Sequence, residues 1–255
     1  MPVHRFADMT WEEVRDADRD ASVAILPVGA VEAHGPHLPL GTDVVIAQAM
    51  ARSCAERLDA AGCTVFVLPP VWYTAAAFAS GFPGTIDVED ATVTALVRHI
   101  ARALGRQGVR TLAVANAHLD PAHLRALHDA VDGVEAAPEG SARVIFVDLT
   151  RRAVAEQLTE EFRTGACHAG RFEGSVVLAE EPGLFRGDLA AGLDPNPSSL
   201  SVAIDEGKET FEEAGGPRAY FGWPADATAE EGHETVRVLG ALLADAVLRA
   251  TGGDP

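Results

Sequence analysis

The run LPVGAVEAHGPHLPLGTD, Leu26 to Asp43, sets one glutamate, two histidines and one aspartate on a single connection behind an apolar segment. Imidazole and carboxylate side chains together form the ligand set that suits zinc, manganese or iron. Glu32 and His34 are two residues apart, so in extended chain both point to one side and can reach one site. Further along, NAHLD brings His118 and Asp120 at the same spacing, and CHAGRFEGS brings His168 and Glu173. One tetrahedral ion needs fewer ligands than this. The surplus fits two divalent ions about 3.5–4 Å apart, bridged by a carboxylate and sharing an activated water. Asp43, at the start of a helical stretch, is placed to be that bridge.

The remaining polar residues read more plainly. His37 suits a hydrogen-bonded structural role rather than a ligand. His123 and His128 lie at helical spacing as solvated or packing residues, and His4, His99 and His233 have no role. Cys54, Cys63 and Cys167 form neither a CxxC pair nor an even disulfide framework. Cys167 beside His168 reads as buried filler, since no Cys–His–Asp pattern surrounds it.

Positioning these groups falls to short, nearly all-apolar strands that alternate with helices. Residues 22–30, 63–71, 109–118 and 142–149 read as buried strands. Helical periodicity covers 44–62, with Asp43 as N-cap and Gly62 as stop, then 87–108, where acidic residues lead and basic ones follow. Further helices are expected over 120–131, 151–162, 173–181 and 225–253. The tract 182–217, richer in Gly, Pro and Ser, reads as irregular, an active-site wall or an oligomer contact. Apolar strands alternating with helices imply a single-domain three-layer α/β/α fold over residues 1–255, with a mostly parallel sheet. Ligands of such sheets bind beyond the carboxyl ends of the strands, where the unusual residues gather.

Composition narrows the function classes. The 255 residues are 47% hydrophobic and 23% charged, ordinary for a globular chain, and carry a formal charge of −18. That charge disfavours nucleic acid and anionic membrane surfaces, which are held through Lys and Arg. No apolar run approaches the roughly 20 residues that a bilayer demands. The polar, acidic beginning is unlike a secretory signal, so a reduced, cytoplasmic location is expected.

The block PVGAVEAHGPHLPLGTD closely resembles the opening signature of the creatininase (creatinine amidohydrolase) family. Similar family blocks follow in the same order: GFPGTI (81–86), NAH (116–118), HAGRFEGS (168–175) and FGWPADATAEEG (221–232). The resemblance implies a creatininase-like α/β sandwich with a binuclear metal centre of zinc, manganese or iron. It implies that Glu32, Asp43 and His118 hold one ion, and His34, Asp43 and Glu173 the other. His168 would contact substrate or donate a proton, and Asp120 falls where creatininase has a glutamate that assists proton transfer. The implied reaction is hydrolysis of a non-peptide C–N bond in a small molecule, a cyclic amide or formamide. The implied assembly is a homo-oligomer such as a hexamer. The chain departs from the family in reading LDPAH after His118, where many members have Gly-Gly-Asn, and EGS for Glu-Thr-Ser. TAAAFAS, in place of polar residues ahead of GFPGTI, makes one pocket wall more apolar and turns expectation away from creatinine toward an apolar amide. Two other readings remain: a dimetal phosphoesterase, and a catalytically impaired subunit of a larger assembly.

Overall fold

In the computed structural model, which describes residues 3–19 and 22–252, five strands lie parallel in one sheet. They are β1 (Val3–Arg5), β2 (Ser22–Val28), β3 (Thr64–Val67), β4 (Thr111–Asn116) and β5 (Arg143–Phe146), in the order β1-β3-β2-β4-β5. From β2 the chain moves outward to β3, then crosses to β4 on the other side of β2. Parallel α/β sheets open a ligand crevice at such a reversal. Val28 pairs with Asn116 in register, so the segments that follow β2 and β4 leave the sheet side by side.

Two apolar layers explain why the strands read as continuous hydrophobic runs. Val23 and Ile25 of β2, with Ala113 and Ala115 of β4, face one layer. Ala24, Leu26 and Val28, with Leu112 and Val114, face the other. Alternation therefore buries both faces of each strand, as the three-layer expectation requires. The first layer is covered by α2 (Thr42–Ala60), α7 (Arg171–Glu180) and α10 (Ala229–Thr251), and the second by α3 (Asp90–Arg106) and α4 (Pro121–Glu135).

Some local readings change. The short α1 (Trp11–Asp16) opens on a capping box between Thr10 and Glu13, and β1 extends the sheet; neither was expected. The stretch expected as one helix over 151–162 is two short ones, α5 (Arg152–Ala155) and α6 (Glu160–Thr164). Thr159 interrupts it, because its hydroxyl caps the second helix by accepting the N–H of Phe162. The tract after Glu181 is largely irregular, with α8 (Gly187–Ala191) and α9 (Leu200–Asp205) as its short helices. Among the described residues, no helix is long and apolar enough to cross a membrane.

Candidate metal centre

The loop between β2 and α2 carries Glu32 and His34 into the crevice, and the first turn of α2 brings Asp43. Gly29 permits the approach, since a Cβ there would meet Val44 N at 2.5 Å and the Asp43 backbone carbon at 2.7 Å. Asp43 does not cap α2 as expected. Gly41 is the N-cap and Asp43 lies in the first turn, its carboxylate turned toward the histidines. Its carboxylate still gains from the positive end of the helix.

All seven residues singled out from the sequence meet at this crevice, and all are buried. Donor atoms of Glu32, Asp43 and His118 lie within 4.8 Å of one another, as do those of His34, Asp43 and Glu173. His118 Nδ1 is 2.9 Å from Asp43 Oδ2 and 3.3 Å from Glu32 Oε1. His34 Nε2 is 3.0 Å from Asp43 Oδ1 and 3.5 Å from Glu173 Oε2. Asp43 belongs to both groups.

The far side of each imidazole decides what the near side offers. His118 donates its Nε2–H to Ala75 O at 2.8 Å, and His34 donates its Nδ1–H to Glu32 O at 3.1 Å. In the neutral ring, the nitrogen facing the carboxylates is then a bare lone pair. Lone pairs aimed at three buried carboxylates repel unless a cation lies between them, so the donor set fits divalent ions. A backbone carbonyl orienting the distal nitrogen is the usual outer-sphere support of a metal-ligating histidine. Without an ion the cluster must hold protons instead. Burial opposes the charge of His34, yet Asp43 and then Glu173 outweigh it and raise the ring to about 10. Burial likewise opposes charge on His118, and Glu32 and Asp43 carry it well above its ordinary value. Burial pushes Glu173 up to about 8. For Asp43 the same two imidazoles prevail over burial and hold it far below the carboxylate range.

A pH dependence follows. Raised values mean that His34 and Glu173 are protonated in the ion-free protein at pH 7, so an ion must expel those protons. Metal affinity therefore rises with pH, through about 8 as Glu173 loses its proton and toward about 10 as His34 does. Titration calorimetry in buffers of different ionisation heat will show proton release at pH 7. Proton-neutral binding would contradict the assignment of these two groups as ligands.

His168 forms a third such group with Glu32 and His34, its donor atom within 4.8 Å of theirs. Its Nε2–H is donated to Ala33 O at 2.9 Å, leaving Nδ1 bare at 3.8 Å from Glu32 Oε1. Its ring lies between those of His34 and Phe211, with centroids at 4.4 and 4.2 Å. Burial, reinforced by His34, keeps it neutral. Asp120 lies outside these groups. Oδ1 accepts the N–H of Ala122 at 2.7 Å, capping α4, and Oδ2 accepts the N–H of Phe78 at 3.0 Å.

Of the residues set aside, His123 is fully buried behind His118 and donates to Asn116 Oδ1 at 2.9 Å. Asn116 in turn donates to His118 O at 2.7 Å, so this pair steadies the segment after β4. His37 packs between Phe185 and Tyr220, and burial holds it at about 4. His128 pairs with Asp148 at 2.9 Å, away from the site. Burial drives the Cys167 thiol up to about 12, which removes it as a nucleophile.

Glu161 is the residue that sequence reasoning missed. Fully buried, it accepts the backbone N–H groups of Arg171 (2.8 Å), Phe172 (2.6 Å) and Trp223 (2.7 Å). It thereby closes the open N-terminus of α7, which carries Glu173, and ties it to the FGWP segment. No local motif announces such a residue.

A small cavity of about 40 Å³ opens beside the cluster. Phe78, Leu119, Leu200, Ile204 and Phe211 form its apolar wall, and neither Lys nor Arg lines it. Three of these, Leu200, Ile204 and Phe211, come from the tract 182–217, which thus walls the cavity.

The sheet, its crevice and this cluster define a chain of the creatininase family: the creatinine amidohydrolase family matches over residues 7–247, and the chain belongs to it. It is 31% identical over 208 residues to the creatinine amidohydrolase of Pseudomonas putida, covering 76% of this chain and 77% of that one. It is 29% identical over 229 residues to the mycofactocin precursor peptide peptidase of Mycolicibacterium smegmatis, covering 89% and 85%. A creatininase variant solved with creatine superposes with TM-score 0.75 at 26% identity, covering 98% and 99% of the two chains. A manganese form of creatininase superposes with TM-score 0.75 at 26% identity and the same coverage.

Proposed function

We propose that this amidohydrolase-family chain uses two divalent ions to hydrolyse a non-peptide C–N bond, in a cyclic amide or formamide of a small molecule. The observation that carries the reading is the pair of imidazoles, each anchored by a backbone carbonyl and turning its lone pair onto shared buried carboxylates. Glu32, Asp43 and His118 would hold one ion, and His34, Asp43 and Glu173 the other. The mixed nitrogen and oxygen donor set suits zinc, manganese or iron. Two ions so held supply Lewis acidity to the carbonyl oxygen and a water of lowered pKa.

The chain's own residues do the rest. His168 enters as a proton acceptor at Nδ1, because Nε2–H is committed to Ala33 O. It takes a proton from the attacking water and returns it to the leaving nitrogen, so amide and water become carboxylate and amine. Stacking between His34 and Phe211 keeps the ring from swinging away. Asp120, with both oxygens accepting backbone N–H groups, acts at the edge of the site by fixing Phe78. The apolar wall favours an uncharged scissile amide with an apolar flank. It disfavours a phosphate ester, whose developing charge calls for cationic side chains. Phe78→Ser should raise KM for an apolar lactam roughly tenfold or more, as expected when about 1.5 kcal/mol of aromatic burial is lost. An unchanged KM would count against the apolar substrate.

The reading is tested by counting bound metal per purified chain and screening lactams and formamides for turnover. About two ions with hydrolysis is the expected result. Two ions without any hydrolysis would favour an impaired assembly subunit, and one ion or none would remove the two-ion site. We also propose that the chain is a cytoplasmic homo-oligomer. Leu40, Trp72, Tyr73 and Ile86 are exposed apolar residues available for such contacts. Light scattering that returns a monomer would overturn that.

A further inference from the structure

A second cavity adjoins the first and shares Leu119 and Cys167 with it as a common wall. Its character is opposite. Arg152 of α5, Arg163 of α6 and Ser201 of α9 line it, in a chain with a formal charge of −18. Glu156 also lines it and pairs with Arg152 at 2.9 Å, so that guanidinium is already half neutralised. Arg163 has no carboxylate partner among the described residues, and it leaves the cavity with a net positive charge. Apolar and acidic on one side of the shared wall, cationic and solvent-facing on the other, the two cavities are adjoining environments of opposite charge.

We infer that the outer cavity is a carboxylate subsite, centred on Arg163 with Arg152 beside it, for a substrate whose scissile amide and apolar portion occupy the inner cavity. The inference rests on the amidohydrolase reading for which bond is cut, but not for the binding itself. The physical argument is one of matching. An isolated carboxylate finds no Lys or Arg in the inner cavity, where Glu32, Asp43 and Glu173 repel it unless it sits on the proposed ions. A guanidinium offers parallel N–H donors that fit a carboxylate in bidentate fashion. A compact neutral amide such as an unsubstituted lactam leaves Arg163 unused. A lactam or other amide bearing an ω-carboxylate on a short arm uses both cavities at once. Arm length then becomes the specificity-determining quantity, and the split of α5 from α6 acquires a purpose, because the Arg152 and Arg163 side chains come from separate short helices onto one cavity.

The test uses N-(ω-carboxyalkyl)-2-pyrrolidinones with one to five methylenes, each beside its own neutral carboxamide, on the metal-loaded full-length chain. Affinity is read by calorimetry where a compound is not turned over, and as kcat/KM where it is. One arm length should favour carboxylate over carboxamide by about two- to fivefold, the usual worth of a solvent-facing ion pair. Added salt should shrink that ratio. R163Q should bring it close to unity, and R152Q should reduce it less, since Glu156 already engages Arg152. A ratio near unity at every length would overturn the inference. So would a preference that survives in the R152Q/R163Q double variant, because the carboxylate would then be resting on the ions. Intact preference in binding without turnover of any compound would sink the lactam form of the amidohydrolase reading and leave the carboxylate subsite standing.

Discussion

Asp43→Ala is expected to abolish binding of both proposed ions and to leave the chain folded. Asp43 is the one residue common to the two donor groups, its oxygens at 3.0 Å from His34 Nε2 and 2.9 Å from His118 Nδ1. Losing a carboxylate that touches both ions should exceed the roughly 10–100-fold effect of losing an outer-sphere partner. Affinity for each ion should therefore fall more than about 100-fold, and metal per purified chain should approach zero. The fold should tolerate the change. Gly41 caps α2 without a side chain, so no cap is lost, and Ala is the best helix former for the first turn. In the ion-free state the variant removes the carboxylate that pairs with the His34 and His118 rings, so some stability is lost and those rings give up their protons more readily. Glu32→Gln is the contrasting variant, because Glu32 lies 3.3 Å from His118 Nδ1 but 3.8 Å from His34 Nε2, with which it is grouped only through His168. It should weaken one ion and spare the other. Mass spectrometry of bound metal, with circular dichroism to confirm folding, separates the cases. Asp43→Ala retaining one tightly held ion would show that Asp43 serves one ion only, and the shared-carboxylate arrangement would fall.

The clustering of these side chains was legible because its signals are local. Glu32 and His34 lie two apart on one loop, and His118 follows an unmistakable buried strand, so strand ends could be counted from the sequence. β2 and β4 read clearly for the same reason: both faces of each are buried, and every position is apolar or small. What failed to read was set by contacts across the fold. Asp43 looked like a cap because an aspartate before an apolar helical run usually is one. Here the cluster of imidazoles competes for its carboxylate and wins, leaving Gly41 at the cap. The helix expected over 151–162 broke at Thr159, a cap residue inside a periodic pattern. α1 carried a readable signal, Thr10 with Glu13 three residues on, that charge counting obscured. Phe211 gave no warning at all. It stacks on His168 from 43 residues away in the chain, in a tract whose composition says only that it is irregular.

Glu161→Ala should be among the most destabilising single changes in this chain outside the hydrophobic layers. It would leave the N–H groups of Arg171, Phe172 and Trp223 without their acceptor. Each buried donor so abandoned costs about 1–3 kcal/mol, and the sum approaches the whole stability of a marginal fold. A loss of about 4 kcal/mol, with a fall in Tm of roughly 10 °C, is the expected result. The damage should also reach the metals unevenly. Glu161 secures the N-terminus of α7 beside Ala169, a non-glycine residue held at φ 51 whose N–H is donated to Glu173 Oε2 at 2.6 Å. Slackening that turn frees Glu173, and with it the ion held by His34, Asp43 and Glu173, while the Glu32–Asp43–His118 group lies on other elements. Glu161→Gln keeps one acceptor oxygen and should fall between. Gly222→Ala approaches the same point from the partner side, since φ there is +80 and a Cβ would collide with Glu161 Oε1. Stepwise metal titration under conditions where each variant is still folded distinguishes this from general loosening. Equal weakening of both ions would mean that Glu161 supports the fold at large and has no particular hold on Glu173.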